Sequence, residues 1–286
     1  MTDIAVSSYS FHRLIKQGAA RLEDTPRLAR EVGADCVEIA TGGSLGPALT
    51  PDLAERLADA ADAADVAITS FALAADLLGA DGQMSQEAVD SVMAQVDAAA
   101  SIGVDRLRHD ATWRTAEDDI SDEAWEAALW PLVKACRAIA GHGANAGVRT
   151  SIENHGVFVA SAGRVEQLLA TVQHPNFGLT LDLGNLLWAP QDLVAATRAL
   201  APYALTVHCK DFKIGATGEG VWQTYPGGPA VMPVATGQGD LPLSDQIDAC
   251  LDADRTPLWV VEFEGPHGDV MAEVRRSYEW LRKQLG

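Results

Sequence analysis

Basic residues are scarce in this 286-residue chain, and their scarcity argues against two broad classes of partner. The sequence has 21 lysine and arginine residues against 40 aspartate and glutamate residues, which gives a formal net charge of −19 and a pI near 4.6. Nucleic acids and anionic membranes attract proteins that carry a positive field. We therefore expect no nucleic-acid partner and no membrane partner.

Paired cysteines, long apolar runs and a signal sequence are also lacking. The four cysteines lie far apart without a CxxC pair, which predicts reduced core thiols rather than a zinc or redox site. No apolar run reaches the roughly 18 to 20 residues that a membrane span requires. The N-terminus MTDIAVSSYSF has no basic segment followed by a hydrophobic core, as a signal peptide would have. These absences predict a soluble cytoplasmic protein.

The chain does contain a regular alternation of short β-rich segments with longer amphipathic segments. Several β-rich segments are apolar nearly throughout, which is typical of parallel strands covered on both faces. Eight strand–helix units in a chain of this length predict an α/β fold, a single-domain (β/α)8 TIM barrel over 1–286. A doubly wound open sheet is the alternative, but no GxGxxG motif follows the first strand. The predicted strands are 4–11, 36–40, 66–73, 106–111, 148–154, 177–185, 204–210 and 257–265.

Apolar stripes and capping residues predict the helices. Ser85 precedes one stripe as an N-cap, and Thr25 and Thr50 each precede a proline that suits the first helical position. The stripes follow the i, i+3, i+4 spacing of a helix with one buried face. They lie within 85–102, 121–140, 165–172 and 269–285.

The longest segment without a periodic pattern is 211–242, which is rich in glycine and proline. Long irregular segments of this kind are usually mobile or functional. Because this one follows a predicted barrel strand, we expect an irregular loop over the end of the barrel where active sites form.

Charged side chains interrupt the last four predicted strands near their C-terminal ends. These are Glu153, Asp182 and His208, with either Glu262 or Glu264 as the fourth. In a (β/α)8 barrel the functional groups lie at this end, so residues far apart in sequence converge. Three carboxylates would repel one another without a cation, and a set of three carboxylates and one imidazole suits Mn²⁺ or Mg²⁺, with Co²⁺ and Zn²⁺ as further candidates.

Each of these residues has another explanation when it is considered singly. An aspartate near a strand end often caps a turn, and a histidine in an apolar strand is often a hydrogen-bonded core residue. The glutamates could pair with Arg149 or Arg255. The recurrence of all four on successive strands favours a metal site over these separate explanations.

Several short motifs resemble those of the xylose isomerase-like TIM-barrel superfamily, the sugar phosphate isomerase/epimerase family. The resemblance implies a (β/α)8 barrel in which Glu153, Asp182, His208 and Glu262 bind a divalent metal. It leaves the substrate open, because one fold of this kind hosts many reactions. The motifs are SIENH (151–155), LDLGN (181–185), HCKD (208–211), GQGD (237–240) and VVEFEG (260–265).

The resemblance to the isomerases also implies that Glu153 and Glu262 move a proton on opposite sides of the reacting carbon. A divalent cation stabilises the enediolate that forms when a proton α to a carbonyl leaves, so the chemistry suits the ligand set. The sequence predicts a metal-dependent isomerase or epimerase of a sugar or polyol carbonyl compound. The alternative is a lyase at the same site, either an inosose- or dehydroshikimate-type dehydratase or an enzyme that cleaves 3-keto-glycosides. An intact ligand set argues against a sugar-binding protein without catalysis.

Three positions depart from the ketose 3-epimerases of this superfamily. Val159 stands where those enzymes have a second glutamate, Asn185 where they have a histidine, and Ile214 where they have an arginine. Because these residues normally hold the substrate, the sequence argues against a free-ketose 3-epimerase. The apurinic endonuclease IV enzymes need three metals and a basic surface, and this chain is strongly acidic.

Five further residues are predicted to bind the substrate. His12 and His109 end the first and fourth predicted strands, where barrel residues meet ligands. His155 and Asn185 flank predicted metal ligands, and Lys210 shares a strand face with a predicted ligand two residues earlier.

Three other residues are candidates for supporting roles around the site. Glu38 is predicted to be a buried structural carboxylate, and Trp113 and Trp222 could form an apolar wall against a sugar face. No glycine-rich phosphate cradle is evident, so a phosphorylated substrate is not required. The expected partner is a small sugar, keto-sugar or cyclitol, and the oligomeric state is open, a homo-oligomer included.

Overall fold

The main sheet is a closed barrel of eight parallel strands. A computed structural model describes residues 4–43, 46–114, 118–215, 222–224 and 228–286. Its strands are β1 (Ile4–Ser7), β2 (Cys36–Thr41), β3 (Ala67–Leu73), β4 (Arg106–His109), β5 (Arg149–Glu153), β6 (Phe177–Asp182), β7 (Ala204–Cys209), β8 (Asp211–Gly215), β9 (Ala230–Val234) and β10 (Leu258–Val261). Strand β1 pairs with both β2 and β10, which closes the order β1-β10-β7-β6-β5-β4-β3-β2. The predicted (β/α)8 barrel is confirmed, and the open-sheet alternative is wrong.

Helices alternate with the barrel strands, as the apolar stripes predict. Thr50, Ser85 and Ser121 cap three of them, each accepting a hydrogen bond from a backbone N–H in the first helical turn. Thr25 is instead the first residue of its helix, and its hydroxyl donates to the carbonyl of Leu22, so its predicted capping role is wrong. The helices are α1 (His12–Lys16), α2 (Thr25–Val32), α3 (Pro51–Ala64), α4 (Gln86–Ser101), α5 (Asp122–Ala146), α6 (Ala162–Val172), α7 (Leu193–Leu200), α8 (Leu243–Leu251) and α9 (Val270–Leu285).

Several strands end earlier than predicted, because polar side chains turn the backbone away from the sheet. The hydroxyl of Ser7 accepts the N–H of Tyr9 and starts a short 3-10 helix, so His12 begins α1 and does not end a strand. At the end of β6, Asp182 Oδ1 accepts the N–H of Asn185 at 2.8 Å. These turns place the predicted site residues at the C-terminal rim of the barrel.

The core has two layers, one inside the barrel and one between the barrel and the helices. Phe71, Trp259 and Phe263 are among its largest fully buried side chains. Of the cysteines, Cys36 is half-buried, and Cys136, Cys209 and Cys250 are buried, in agreement with the prediction of core cysteines. None of the helices in the described parts of the chain is both long enough and apolar enough to cross a bilayer.

The sequence predicts an irregular loop over 211–242, but part of this segment is regular. Strands β8 and β9 pair antiparallel and form a hairpin directly after β7, with Asp211 opposite Val234 and Gly215 opposite Ala230. Glycine and proline weaken the periodic pattern of these short strands, which explains why the sequence pattern does not reveal them. Residues 216–221 and 225–227 of the segment lie outside the described residues.

The side chain of Asp211 connects the two ends of this hairpin. Its two oxygens accept backbone N–H groups from Phe212 at 2.8 Å, Gly237 at 3.0 Å, Gly239 at 2.7 Å and Leu241 at 3.4 Å. The carboxylate is itself buried. It therefore links the start of β8 to the segment that follows β9.

Replacement of Asp211 by alanine should destabilise the protein, because several buried N–H groups would lose their acceptor. We expect a loss of about 3 kcal/mol in the free energy of unfolding, measured by urea denaturation. Asp248→Ala, on the exposed side of α8, is the matched control and should change it by less than about 0.5 kcal/mol. Equal stability of the two variants would contradict the assigned role of Asp211.

Candidate metal centre

Four buried side chains converge at the C-terminal rim of the barrel. They are Glu153 at the end of β5, Asp182 at the end of β6, His208 in β7 and Glu262 directly after β10. One potential ligand atom from each lies within 4.8 Å of all the others. Asp182 and His208 are register partners on adjacent strands. The four ligand candidates from the sequence therefore form one cluster, with Glu262 rather than Glu264 as the fourth member.

The centre of this cluster fits a cation. His208 Nδ1 lies 3.9 Å from Glu153 Oε2, 3.9 Å from Asp182 Oδ2 and 3.8 Å from Glu262 Oε2, too far for hydrogen bonds. Within the described residues, no hydrogen bond reaches the buried His208 Nδ1, whereas Glu153 Oε2 contacts Arg108 Nη2 and Asp182 Oδ2 lies 3.0 Å from Lys210 Nζ. A buried polar atom without a partner costs about 1–3 kcal/mol. A divalent ion would satisfy His208 Nδ1, and oxygen and imidazole ligands of this kind suit one.

A second carboxylate fixes the orientation of the imidazole. His208 Nε2 lies 2.9 Å from Glu38 Oε1, and Glu38 Oε2 accepts the hydroxyl of Ser70 at 2.8 Å. Burial alone would lower the pKa of His208, but the charge of Glu38 and its hydrogen bond raise it to about 10. With Nε2 directed at Glu38, Nδ1 faces the cluster, as in carboxylate–histidine–metal arrangements. Glu38 is buried, as predicted, and it also orients a side chain of the cluster.

The two carboxylate oxygens of Asp182 have different roles. One caps the turn after β6, and the other faces the cluster. Oδ1 accepts the N–H of Asn185, while the backbone of Asp182 exchanges two 2.8 Å hydrogen bonds with the Asn154 side chain. The capping role considered from the sequence is therefore real, and it leaves Oδ2 directed at the cluster. Burial raises the pKa of Asp182, whereas the nearby Lys210 ammonium acts in the opposite direction.

Lys210 places its ammonium group beside the cluster. Its Nζ lies 3.0 Å from Asp182 Oδ2 and donates to Glu262 Oε2 at 3.0 Å and to Glu264 Oε1 at 2.9 Å. Burial would raise the pKa of Glu262, but Lys210 and His208 hold it below its usual range. The ammonium thus balances part of the negative charge, and Glu264 belongs to this ion pair.

Arg108 and Asp110 extend the site towards β4, and the sequence analysis missed both. Arg108 Nη2 contacts Glu153 Oε2 and lies 3.0 Å from Asp110 Oδ1. Asp110 also accepts hydrogen bonds from His155 Nδ1 at 3.1 Å and from Trp113 Nε1 at 2.7 Å. Burial would lower the pKa of His155, but the Asp110 carboxylate raises it to about 9. Strand alternation in RLRHD could have indicated that Arg108 and Asp110 share a face.

The cluster opens into a cavity of about 470 Å³, here called the metal cavity. Of the predicted substrate-binding residues, His155 and Lys210 line it. Asn185 lines an adjoining cavity and donates from Nδ2 to Glu153 Oε1 at 2.7 Å. Asn185 therefore contacts one of the four cluster residues, as expected of a residue that flanks a metal ligand. Trp113 lines both cavities, whereas Trp222 lines neither.

Two of the predicted substrate-binding histidines, His12 and His109, line neither cavity. His109 points to the other side of the sheet from Arg108, with its ring centroid 6.4 Å from that of Phe177, and burial lowers its pKa to about 4. His12 stacks on Tyr9, and its Nδ1 lies 2.9 Å from the carbonyl of that residue. Neither imidazole lines the metal cavity or the adjoining one.

The arginines considered as alternative partners of the glutamates do not reach the cluster. Arg149 is exposed at the start of β5, and Arg255 donates to the carbonyl of Pro202 at 2.7 Å. Of the positions that depart from the ketose 3-epimerases, Val159 is buried in the core, and Ile214 lies partly exposed in β8. The polar groups that face the metal cavity come from other positions.

Several solved structures have a fold similar to that of this chain. A structure of a xylose isomerase-like TIM barrel protein from Mycobacterium smegmatis in complex with magnesium has a TM-score of 0.76 and 18% identity, covering 100% of this chain and 97% of that one. The 3-keto-D-glucoside 4-epimerase from E. coli has a TM-score of 0.71 and 15% identity, covering 99% and 100%. The probable 3-DHS dehydratase from Bacillus anthracis has a TM-score of 0.69 and 15% identity, covering 99% of each chain.

At these identities the structural likeness concerns the fold alone. No curated protein sequence matches the chain. The model of the family described as xylose isomerase-like TIM barrel matches residues 26–284, which is nearly the whole chain. The protein therefore belongs to the xylose isomerase-like TIM barrel family.

Proposed function

We propose that the protein is a divalent-metal-dependent isomerase or epimerase of a sugar or polyol carbonyl compound. The observation that carries this proposal is the cluster of Glu153, Asp182, His208 and Glu262, in which two glutamates also line the metal cavity. Mn²⁺ or Mg²⁺ is the expected ion, with Co²⁺ and Zn²⁺ as alternatives. When bound, the ion would polarise the substrate carbonyl and stabilise the negative charge that develops on its oxygen.

The chain's own residues would hold the substrate and move its proton. Glu153 at the end of β5 and Glu262 after β10 are separated along the rim by β6 and β7, so one can remove a proton α to the carbonyl and the other can return it. Lys210 and His155 line the same cavity as cations, and both can donate hydrogen bonds to substrate oxygens. Asn185 holds Glu153 through its Oε1 atom, which limits rotation of that carboxylate. No role in the site is proposed for His12 or His109.

The second candidate is a lyase that begins with the same proton abstraction. The observation that favours it is Lys210 Nζ, which lies 3.0 Å from Glu262 Oε2 and could give its proton to a leaving oxygen on the same side of the substrate. A keto-sugar, an inosose, a dehydroshikimate-like compound or a 3-keto-glycoside would suit either outcome. Free ketoses are disfavoured as substrates, because Val159, Asn185 and Ile214 replace the residues that hold them in the 3-epimerases.

We also infer that the protein works in the cytoplasm on a small-molecule substrate. The buried thiols of Cys136, Cys209 and Cys250 support a reducing compartment. The net charge of −19 argues against nucleic-acid and membrane partners. A homo-oligomer stays a prediction.

Metal-free protein should bind about one Mn²⁺ or Mg²⁺ ion per chain, as measured by isothermal titration calorimetry. Asp182→Asn keeps the oxygen that caps the turn but removes the charge, so it should weaken metal binding at least about tenfold. The ion should also raise the melting temperature of the wild type, because it binds only the folded state. Asp248→Ala should behave as the wild type, and equal metal affinity in Asp182→Asn would refute the site.

Replacement of either cavity glutamate by glutamine should abolish proton transfer. We would supply Mn²⁺ and screen keto-sugars, inososes and 3-keto-glycosides in D₂O, with products read by mass spectrometry. Glu153→Gln and Glu262→Gln should each lower turnover at least about 100-fold, because glutamine cannot accept a proton. Isomerisation changes the mass only by deuterium, whereas elimination removes a group. Unchanged turnover in both variants, or in chelator-treated wild type, would exclude the mechanism.

Glu38 should control metal affinity without touching the metal. In Glu38→Ala the imidazole of His208 loses the partner of its Nε2 atom, so the metal dissociation constant should rise about 10- to 100-fold. Glu38→Gln retains an acceptor oxygen and should recover most of the affinity. Circular dichroism would verify that both variants are folded. Wild-type metal affinity in folded Glu38→Ala would show that Glu38 does not position His208.

A further inference from the structure

A second cavity of about 500 Å³, here called the side cavity, continues from the metal cavity. The two share the side chains of Tyr9, Trp113, His155, Lys210 and Glu264. None of the four cluster residues lines the side cavity. Small-molecule cavities typically measure about 300–1,000 Å³, so the metal cavity alone has room for one sugar ring, and the side cavity adds a comparable volume beside it.

Two tryptophans give the side cavity flat apolar surfaces whose orientation is fixed. Trp113 Nε1 donates to Asp110 Oδ2 at 2.7 Å, and Trp188 Nε1 donates to Asn185 Oδ1 at 3.0 Å. With the indole N–H groups engaged, the rings cannot turn freely. Trp113 is nevertheless 47% exposed, which is unusual for a side chain held in place at its polar edge. A ring-shaped ligand would cover this apolar surface.

Both tryptophans are also connected to the proposed reaction centre. Asn185, which anchors Trp188, donates to Glu153 Oε1. Asp110, which anchors Trp113, pairs with Arg108, and Arg108 in turn contacts Glu153. The positions of the aromatic surfaces are thus set relative to the carboxylate that would move the proton.

The rest of the side cavity is polar. Thr112, Arg114, Gln223 and Thr224 contribute to its lining, so hydrogen-bonding groups lie near the tryptophans. Aromatic faces combined with polar groups suit a sugar ring or an aryl ring, each of which has flat apolar faces and polar substituents.

We propose that the side cavity binds the second, non-reacting ring of a two-ring substrate. That substrate is a glycoside whose keto-sugar ring occupies the metal cavity, an inference that rests on the proposed function. The second ring, sugar or aryl, stacks against Trp113 and Trp188. The side cavity therefore selects glycosides over free monosaccharides.

The test compares one-ring and two-ring substrates with the Mn²⁺-loaded full chain. Methyl and phenyl 3-keto-glucopyranosides, and methyl cellobioside oxidised at C3 of its non-reducing ring, are supplied in D₂O, the glucosides in both anomeric forms. Deuterium uptake or product formation is followed by mass spectrometry. We expect kcat/KM for the phenyl glucoside or for the oxidised cellobioside to be at least about tenfold above kcat/KM for the methyl glucoside. The difference should lie mainly in a lower KM, because the second ring contributes binding energy away from the reacting carbon. The preferred probe identifies the second ring as aryl or sugar.

Variants of Trp113 assign the preference to the side cavity. Trp113→Ala should reduce the ratio of kcat/KM for the two-ring compound to kcat/KM for the methyl compound to less than about threefold, and a loss of activity shared by both compounds does not change this ratio. Trp113→Phe retains an aromatic face and should keep most of the preference. Trp130→Ala, which removes an exposed tryptophan of α5 that lines neither cavity, should change nothing.

The outcomes separate this proposal from the proposed function. Equal kcat/KM for one-ring and two-ring compounds, or turnover only of a single-ring inosose, would overturn the side-cavity proposal and leave the proposed function standing. A preference that survives in Trp113→Ala and Trp188→Ala would also overturn it. Absence of turnover for these glycosides and for every keto-sugar and inosose of the wider screen would refute the proposed function, and the side-cavity proposal would fall with it.

Discussion

The balance of charge at the C-terminal rim of the barrel is the constraint on which the rest of the site depends. Glu153, Asp182 and Glu262 are buried within a few ångströms of one another, and burial of like charges is unfavourable unless cations compensate for them. Lys210 and Arg108 supply part of the compensation from the protein itself. His208 Nδ1, which faces the centre, still has no hydrogen-bond partner within the described residues. A divalent ion at that point would complete the balance.

Two carboxylates of the centre, those of Asp182 and Glu153, are each held by one oxygen while the other faces the cluster. Asp182 uses Oδ1 to cap the turn after β6, and Glu153 uses Oε1 to accept from Asn185. His208 follows the same rule, since Nε2 faces Glu38 and Nδ1 faces the cluster. This division preorganises the ligand atoms, so that binding of an ion requires little rearrangement.

Particular residues show how far the sequence could predict this site. Glu153, Asp182 and His208 were predictable, because each is a lone charged or imidazole side chain near the end of an apolar strand, and parallel strands bring such ends together. The fourth residue was predicted only as Glu262 or Glu264. Glu38 was recognisable as buried, but its partner His208 lies across the barrel, with β1 and β10 between their strands. Arg108 and Asp110 were not predicted. The residue predicted from this strand was His109, which the alternation of side chains sends to the other face.

The sequence by itself determined the alternation of strands and helices, the family and three of the cluster residues, Glu153, Asp182 and His208, because hydrophobic periodicity and strand-end residues are local patterns. Only the tertiary structure decided which of Glu262 and Glu264 joins the cluster, which histidines reach the cavity, and that a hairpin follows β7. These features depend on side-chain direction, barrel register and the pairing of distant groups. A shift of one residue in strand register moves a side chain to the opposite face of the strand. The local sequence does not encode which distant group that side chain will contact.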